Sequence, residues 1–214
     1  MGFRDRVDAG EQLAERLVAL GLDDPVVLAI PRGGVITAVP VARRLGAPLD
    51  LALARKIGAP FNEELAIGAI GDDGTIVLSP GLVGRIGVSQ AYIDDVGARA
   101  KEEIERRRRA YLGDRAPLDV KGRTVVIVDD GLATGATAEA AARAVRSRGP
   151  ALVVVAAPVA SAEAVRRLEA VADEVVVLDV PSFFSAVGQF YDGFAQVTDD
   201  EVREALGSAG APVG

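Results

Sequence analysis

The chain has no cysteine and no histidine among its 214 residues. The first absence excludes disulfides, thiolate nucleophiles and cysteine metal sites. The second removes the commonest general base, the Ser-His-Asp arrangement and histidine-ligated zinc together. Chemistry must therefore run on carboxylates, backbone dipoles, Arg and Lys, and any metal that a substrate brings. Aromatics are also scarce, with three tyrosines, six phenylalanines and no tryptophan. That scarcity disfavours a sandwich of short aromatic strands and suits a Val/Ala/Leu-rich parallel sheet covered by helices. Long apolar runs are missing too: "MGFRDRVDAGEQLAERLVALG" has charges throughout and no signal-peptide core, and nothing reaches the length of a membrane span. A cytoplasmic protein with no membrane partner is expected. The net charge of −7 argues against non-specific nucleic-acid binding, which needs a basic surface.

What is present is a series of β-α units. Residues 4–20 read as an amphipathic helix, followed by a buried strand, "PVVLAI" (25–30), the turn "PRGG" (31–34) and a helix ending at Gly46 despite Pro40. "LDLALAR" (49–55) reads as a second strand. "GAPFNEEL" then reads as a loop, and "AIGAIGDDGTIVLS" as a hairpin turning at Asp73-Gly74. Residues 89–112 form the longest helical candidate, with Ser89 as cap and Glu102/Arg106, Glu103/Arg107 and Glu105/Arg109 as i,i+4 pairs. Arg106 to Arg109 read as a solvated or dimer-contacting face, with an RNA patch as the alternative. Strand 124–128, helix 137–148, strand "ALVVVAAP", helix 161–171 and strand "EVVVLDV" complete the pattern. Thr198 and Glu201 stand at capping-box spacing. The expectation is one α/β domain over 1–214: a doubly wound, mainly parallel sheet of about five strands over residues 20–180, with a hairpin or flexible-loop insertion. A small C-terminal hood from 181, together with the N-terminal helix, would complete it.

One stretch stands apart. "VVIVDDGLATGAT", Val125 to Thr137, runs a buried strand into two carboxylates and then into a Gly/Ala/Thr loop that opens a helix. In an open parallel sheet, ligands sit at the carboxyl ends of strands. The loop's unpaired N–H groups and the helix dipole form an anion site there, to which Thr134 and Thr137 can add hydroxyls. A Walker A loop would need Gly-Lys-Ser/Thr, but Ala136 follows Gly135. A dinucleotide loop needs G-x-G-x-x-G, and these glycines are four apart. A receiver domain would need more β-α units than the 84 residues after Asp130 provide. A sugar phosphate remains, its hydroxyls held by carboxylates and its phosphate by the backbone.

The stretch resembles the 5-phosphoribosyl-1-pyrophosphate (PRPP) motif of type I phosphoribosyltransferases. "IPRGGV" is similar to that family's pyrophosphate loop, and "ARKIGAP" to the segment leading to its flexible catalytic loop. The chain as a whole resembles bacterial phosphoribosyltransferases with "RGG", "RKIGAP" and "DDGLATGAT" in series. The resemblance implies Mg²⁺-dependent transfer of 5-phosphoribosyl from PRPP to a small nitrogenous acceptor, in a homodimer. Asp129 and Asp130 would hold the ribose hydroxyls and touch Mg²⁺ only through water. Gly131, Leu132, Ala133, Thr134, Gly135, Ala136 and Thr137 would bind the 5′-phosphate. Arg32, Gly33 and Gly34 would bind pyrophosphate, near a peptide bond that is cis in some relatives.

Arg55 and Lys56, one of only three lysines, would reach the departing pyrophosphate, since a cation there lowers the barrier. The alternative is an ordinary strand-end charge. Lys56, Arg32 and Asp130 are thus the catalytic candidates. Ala133 occupies the position where 6-oxopurine enzymes carry an acidic base, and "GAPFNEEL" lacks the basic residues of orotate enzymes. Glu63 or Glu64 could substitute, or could be plain loop acids. Five aromatics crowd into "PSFFSAVGQFYDGF", and Phe184 and Tyr191 are the candidates for stacking on an acceptor, with a hydrophobic cap as the alternative. Two other functions remain open: a non-catalytic PRPP or nucleotide sensor, and a hydrolase of phosphoribosyl compounds.

Overall fold

The computed structural model describes residues 2–72, 74–78 and 80–209, with backbone alone at 63, 64, 66, 80 and 209. Five strands form one parallel sheet: β1 (Pro25–Ala29), β2 (Leu49–Leu51), β6 (Thr124–Val128), β7 (Leu152–Val159) and β8 (Glu174–Asp179). Their spatial order is β2-β1-β6-β7-β8. Each neighbouring pair is parallel. Both faces are covered, because alternate residues point to opposite sides. Val27, Ala29, Val126, Val128 and Val154 join α1 (Arg6–Val18) and α2 (Gly33–Leu45) in one core. Val26, Leu28, Val125, Ile127 and Val155 join α5 (Ala136–Ser147) and α6 (Ala162–Glu169) in the other. This is the doubly wound α/β architecture anticipated from the sequence.

The strand order reverses between β1 and β6. β1 pairs with β2 on one side and β6 on the other, so the loops leaving β1 and β6 emerge side by side at the sheet's carboxyl edge. α1 lies tightly on α2: a Cβ at Gly10 would stand 2.3 Å from the Thr37 carbonyl and 2.5 Å from the Pro40 ring. That close approach brings the start of α1 beside the two loops. Among the described residues, no helix is long and apolar enough to cross a membrane.

The region from 49 to 86 departs from the sequence reading. "LDLALAR" is not one strand: β2 ends at Leu51, Ala52 makes one more bond to the Ala29 carbonyl at 2.8 Å, and β3 (Ala54–Ala59) starts a second sheet. β3, β4 (Asn62–Gly71) and β5 (Ile76–Leu78) are antiparallel. "GAPFNEEL" is correspondingly not a loop but a hairpin, turning at Pro60 and Phe61, with Phe61 69 % exposed. The second expected hairpin exists as β4-β5. Asp73 of its turn and the side chains of Glu63 and Glu64 lie outside the described residues. A short helix, α3 (Pro80–Ile86), was not anticipated.

α4 (Gln90–Leu112) starts where expected, with Ser89 Oγ accepting from Tyr92 N–H. Its arginines divide. Arg106 and Arg107 both bind Glu103, so the pair Glu103/Arg107 forms while Arg106 takes Glu103 rather than Glu102. Arg108 instead turns inward to Asp50 and Asp72. α7 (Asp199–Ala209) opens with the capping box read from the sequence: Thr198 N–H donates to Glu201, and Glu201 N–H to Thr198 Oγ1.

Candidate active site

The loop after β6 is fixed from beneath. Leu132 is buried and bridges Ala160: its N–H donates to the Val159 carbonyl and its carbonyl accepts from Ser161 N–H, both at 2.9 Å. Ser161 Oγ donates to the Ala133 carbonyl at 2.6 Å. With those carbonyls engaged, Ala133, Thr134 and Thr137 face solvent. Gly135 has φ +71°, and a Cβ there would stand 3.1 Å from that of Ala164, so glycine meets both demands. α5 follows at once, and the first N–H groups of a helix have no partner within it. Thr134 Oγ1 accepts from Ala136 N–H at 3.4 Å.

The loop after β1 interlocks with it. The Pro31–Arg32 peptide bond is cis. α2 starts at Gly33, so this loop too ends on a helix N-terminus. A Cβ at Gly33 would stand 1.8 Å from Asp130 Oδ2, and one at Gly34 would stand 2.9 Å from Asp129 Cα. Only residues without a side chain let the two loops approach this closely. Arg32 extends away from both toward α7, where its guanidinium stands 3.7 Å from Asp199. Tyr111 Oη donates to the same carboxylate at 2.8 Å. Arg32, Arg106, Arg107 and Tyr111 border a polar cavity of about 320 Å³ there.

The two aspartates differ although they are adjacent. Burial, reinforced by the charge of Asp130, pushes the Asp129 carboxyl well above the usual carboxylate range. Its Oδ1 accepts the N–H of Asp130 at 2.9 Å. Asp130 turns its Oδ2 to Arg6 Nε at 2.7 Å, with the two side chains 14 % and 10 % exposed. Arg6 also donates to the Ala195 carbonyl at 2.8 Å, and its guanidinium lies 3.8 Å from the centre of the Phe194 ring. Arg6 escaped the sequence reading. The signal available was an arginine at the first position of a helix, where the dipole disfavours a cation.

Strand alternation sends Arg55 and Lys56 to different sides of β3. Lys56 lines a small cleft with Ala136, Glu139 and Arg143, at the start of α5, whereas Arg55 is exposed. Lys56 is thus near the phosphate-type loop and Arg55 points elsewhere. Tyr191 is 7 % exposed, packs between Phe3 and Phe194, and donates to the Asp130 carbonyl at 2.5 Å. Phe184 is half-buried against Phe190, and Phe183 is 76 % exposed. A larger cavity, of about 630 Å³, lies between α1, α2 and α7 and is bordered by neither loop.

Two helix-opening loops, with an acid pair between them, thus meet at one edge of the parallel sheet. Residues 4–193 match the phosphoribosyl transferase domain family. The chain belongs to that family. It is 48 % identical over 207 residues to a Mycobacterium tuberculosis protein named "Putative phosphoribosyl transferase Rv0571c". The match covers 97 % of this chain and 47 % of the relative, so the chain spans about half the length of the curated relatives it matches. The crystal structure of the protein TT1426 from Thermus thermophilus is 50 % identical and covers 99 % of this chain and 100 % of its own, with a TM-score of 0.92.

Proposed function

We propose that the chain transfers 5-phosphoribosyl from PRPP to a small nitrogenous acceptor, releasing pyrophosphate. The observation that carries this reading is the contact of Gly33 with Asp130, which joins a pyrophosphate-type loop to a ribose-phosphate-type loop at the switch point of the sheet. A single phosphate would need only one helix N-terminus, whereas PRPP carries phosphate groups at both ends of its ribose. In this reading the 131–137 loop takes the 5′-phosphate, the 32–34 backbone takes the pyrophosphate, and Asp129 and Asp130 accept from the ribose hydroxyls. Lys56 would reach the departing pyrophosphate from the β3 side. The reaction is displacement at the anomeric carbon, and the protein contributes positioning and charge stabilisation. Of the aromatics, the exposed Phe183 and half-buried Phe184 suit acceptor stacking. Tyr191, enclosed and bonded to the Asp130 backbone, suits support of the loop.

Mg²⁺ would enter with the substrate. Among the described residues no cluster of three or more Asp, Glu, His or Cys side chains could hold a metal ion. Two carboxylates beside the loops fit an ion whose other ligands are substrate oxygens and water. When bound, it would offset negative charge on the pyrophosphate. A homodimer is part of the same proposal. Titration of PRPP with Mg²⁺ by calorimetry, followed by pyrophosphate release across purine, pyrimidine and other nitrogenous acceptors, tests the reading. Binding with acceptor-dependent release supports it. Binding without release across the panel supports a sensor, acceptor-independent release a hydrolase, and absence of binding removes the site assignment.

A further inference from the structure

We propose that Arg6 is a positioning residue for Asp130, holding one carboxylate oxygen so that the other presents to a hydroxyl of the phosphoribosyl ring. The inference rests on the reading of the site given above. Helix stability does not account for Arg6. It occupies the first position of α1, where exposed N–H groups make a cation unfavourable and where Asp5 and Asp8 already supply the cap and the favourable charge. A surface arginine would turn to solvent from that position. This one turns inward, and each of its contacts belongs to the loop or to the segment covering it.

Those contacts fix the guanidinium from three sides. Nε donates to Asp130 Oδ2, Nη1 donates to the Ala195 carbonyl, and the flat face rests on Phe194. Both members of the ion pair are largely withdrawn from water, where charge-assisted bonds are stronger than on the surface. Asp130 Oδ2 is also the atom that a Cβ at Gly33 would strike. Arg6 therefore holds the carboxylate at the point where the two loops meet. Tyr191 secures the backbone of the same residue by donating to its carbonyl. Side chain and main chain of Asp130 are thus held by two segments far from it in sequence, 3–6 and 191–195.

The test is a double-mutant cycle on PRPP affinity in Mg²⁺, measured by calorimetry on wild type, Arg6→Met, Asp130→Asn and the pair. Arg6→Met should weaken PRPP by about tenfold, the scale of one charge-assisted bond. The double variant should be no weaker than Asp130→Asn alone within about twofold, because Arg6 acts through Asp130. Inorganic pyrophosphate, which carries no ribose, should bind Arg6→Met as it binds wild type, and Arg6→Lys should recover most of the loss. Losses that multiply, an equal loss for pyrophosphate, or Arg6→Met binding PRPP as tightly as wild type or tighter, each overturn the proposal. The last of these would make Arg6 a competitor of the ribose. If thermal melting shows Arg6→Met unfolded, the same cycle with Arg6→Gln decides. Wild type that binds no PRPP overturns the site reading itself, whereas wild type that binds and is weakened by Asp130→Asn, with a silent Arg6→Met, overturns this inference alone.

Discussion

The two sheets are built by different means. In the parallel sheet β2-β1-β6-β7-β8 the strands are sealed on both faces by helices, and the ends of β1 and β6 are the sources of both loops. The antiparallel sheet β3-β4-β5 packs against α4 and α5, and glycines at 58 and 68 interrupt its side chains. A Cβ at Gly68 would stand 2.6 Å from the Val77 carbonyl. The first sheet fixes where the anion loops stand, and the second brings Lys56 to the helix that opens from one of them. On the proposed reading, binding draws mainly on the first sheet, and any assistance to the leaving group draws on the second.

The two sheets are joined by a buried ion network, and the largest effect is expected from cutting it. Arg108 donates to Asp50 of the edge strand β2 at 3.3 Å and to Asp72, beyond β4, at 3.1 Å. Asp50 is 1 % exposed, and Arg148 also reaches Asp72. Removing Arg108 leaves the enclosed Asp50 carboxylate with backbone donors alone and no paired cation, and breaking such a buried pair typically costs about 3–5 kcal/mol. Arg108→Met should therefore lower Tm by roughly 2–4 °C per kcal/mol, or about 10 °C in all. A loss of only a degree or two in a thermal melt would show that the sheets do not depend on this link. Next in size is the acid pair: Asp129→Asn with Asp130→Asn should weaken PRPP by about 100-fold in calorimetry while the protein still melts cooperatively, since each lost charge-assisted bond is worth about 1.5–3 kcal/mol. Unchanged affinity would remove both residues from the site.

Separation of binding from chemistry gives a smaller effect. Lys56→Ala should lower kcat by roughly 10–100-fold, with PRPP affinity within about threefold of wild type, because a cation at the leaving group acts mainly in the transition state. If affinity falls as far as kcat, Lys56 belongs to ground-state binding, and the division between the sheets does not hold.

The same contrast explains what the sequence revealed. The parallel sheet was legible because β1, β6, β7 and β8 are valine-rich apolar runs ended by a polar or glycine turn, and because the loop after β6 carries its chemistry within thirteen consecutive residues. Ser89 and the Thr198–Glu201 box were legible because caps act over three residues. The break between β2 and β3 was not, because Ala52 and Leu53 are both buried and continue the apolar run across the change of sheet. The arginine cluster on α4 gave no hint that Arg108 turns inward, since its partners come from β2 and from beyond β4. Arg6 and Tyr191 reach Asp130 across 124 and 61 residues, and no local pattern reports a pairing of that kind. The residues proposed to touch ligand were readable in this sense, and those that hold them in place were not.

The smallest effect is a gain. Burial beside the charge of Asp130 raises the Asp129 carboxyl above its unfolded value. Well below about pH 4 it is neutral in both states and adds nothing to the pH dependence of folding. As pH rises, the unfolded chain releases this proton before the folded one does, so stability declines until the folded carboxyl has also ionised, and the penalty is constant thereafter. Asparagine is never charged, and its carbonyl can still accept the Asp130 N–H. Asp129→Asn should therefore melt with wild type near pH 3 and above it at pH 7, by a few degrees. A residue proposed to hold the ribose hydroxyls would then be one whose ionised form destabilises the unliganded fold. A variant that melts below wild type at pH 7 would mean that the charge of Asp129 is already compensated without a ligand.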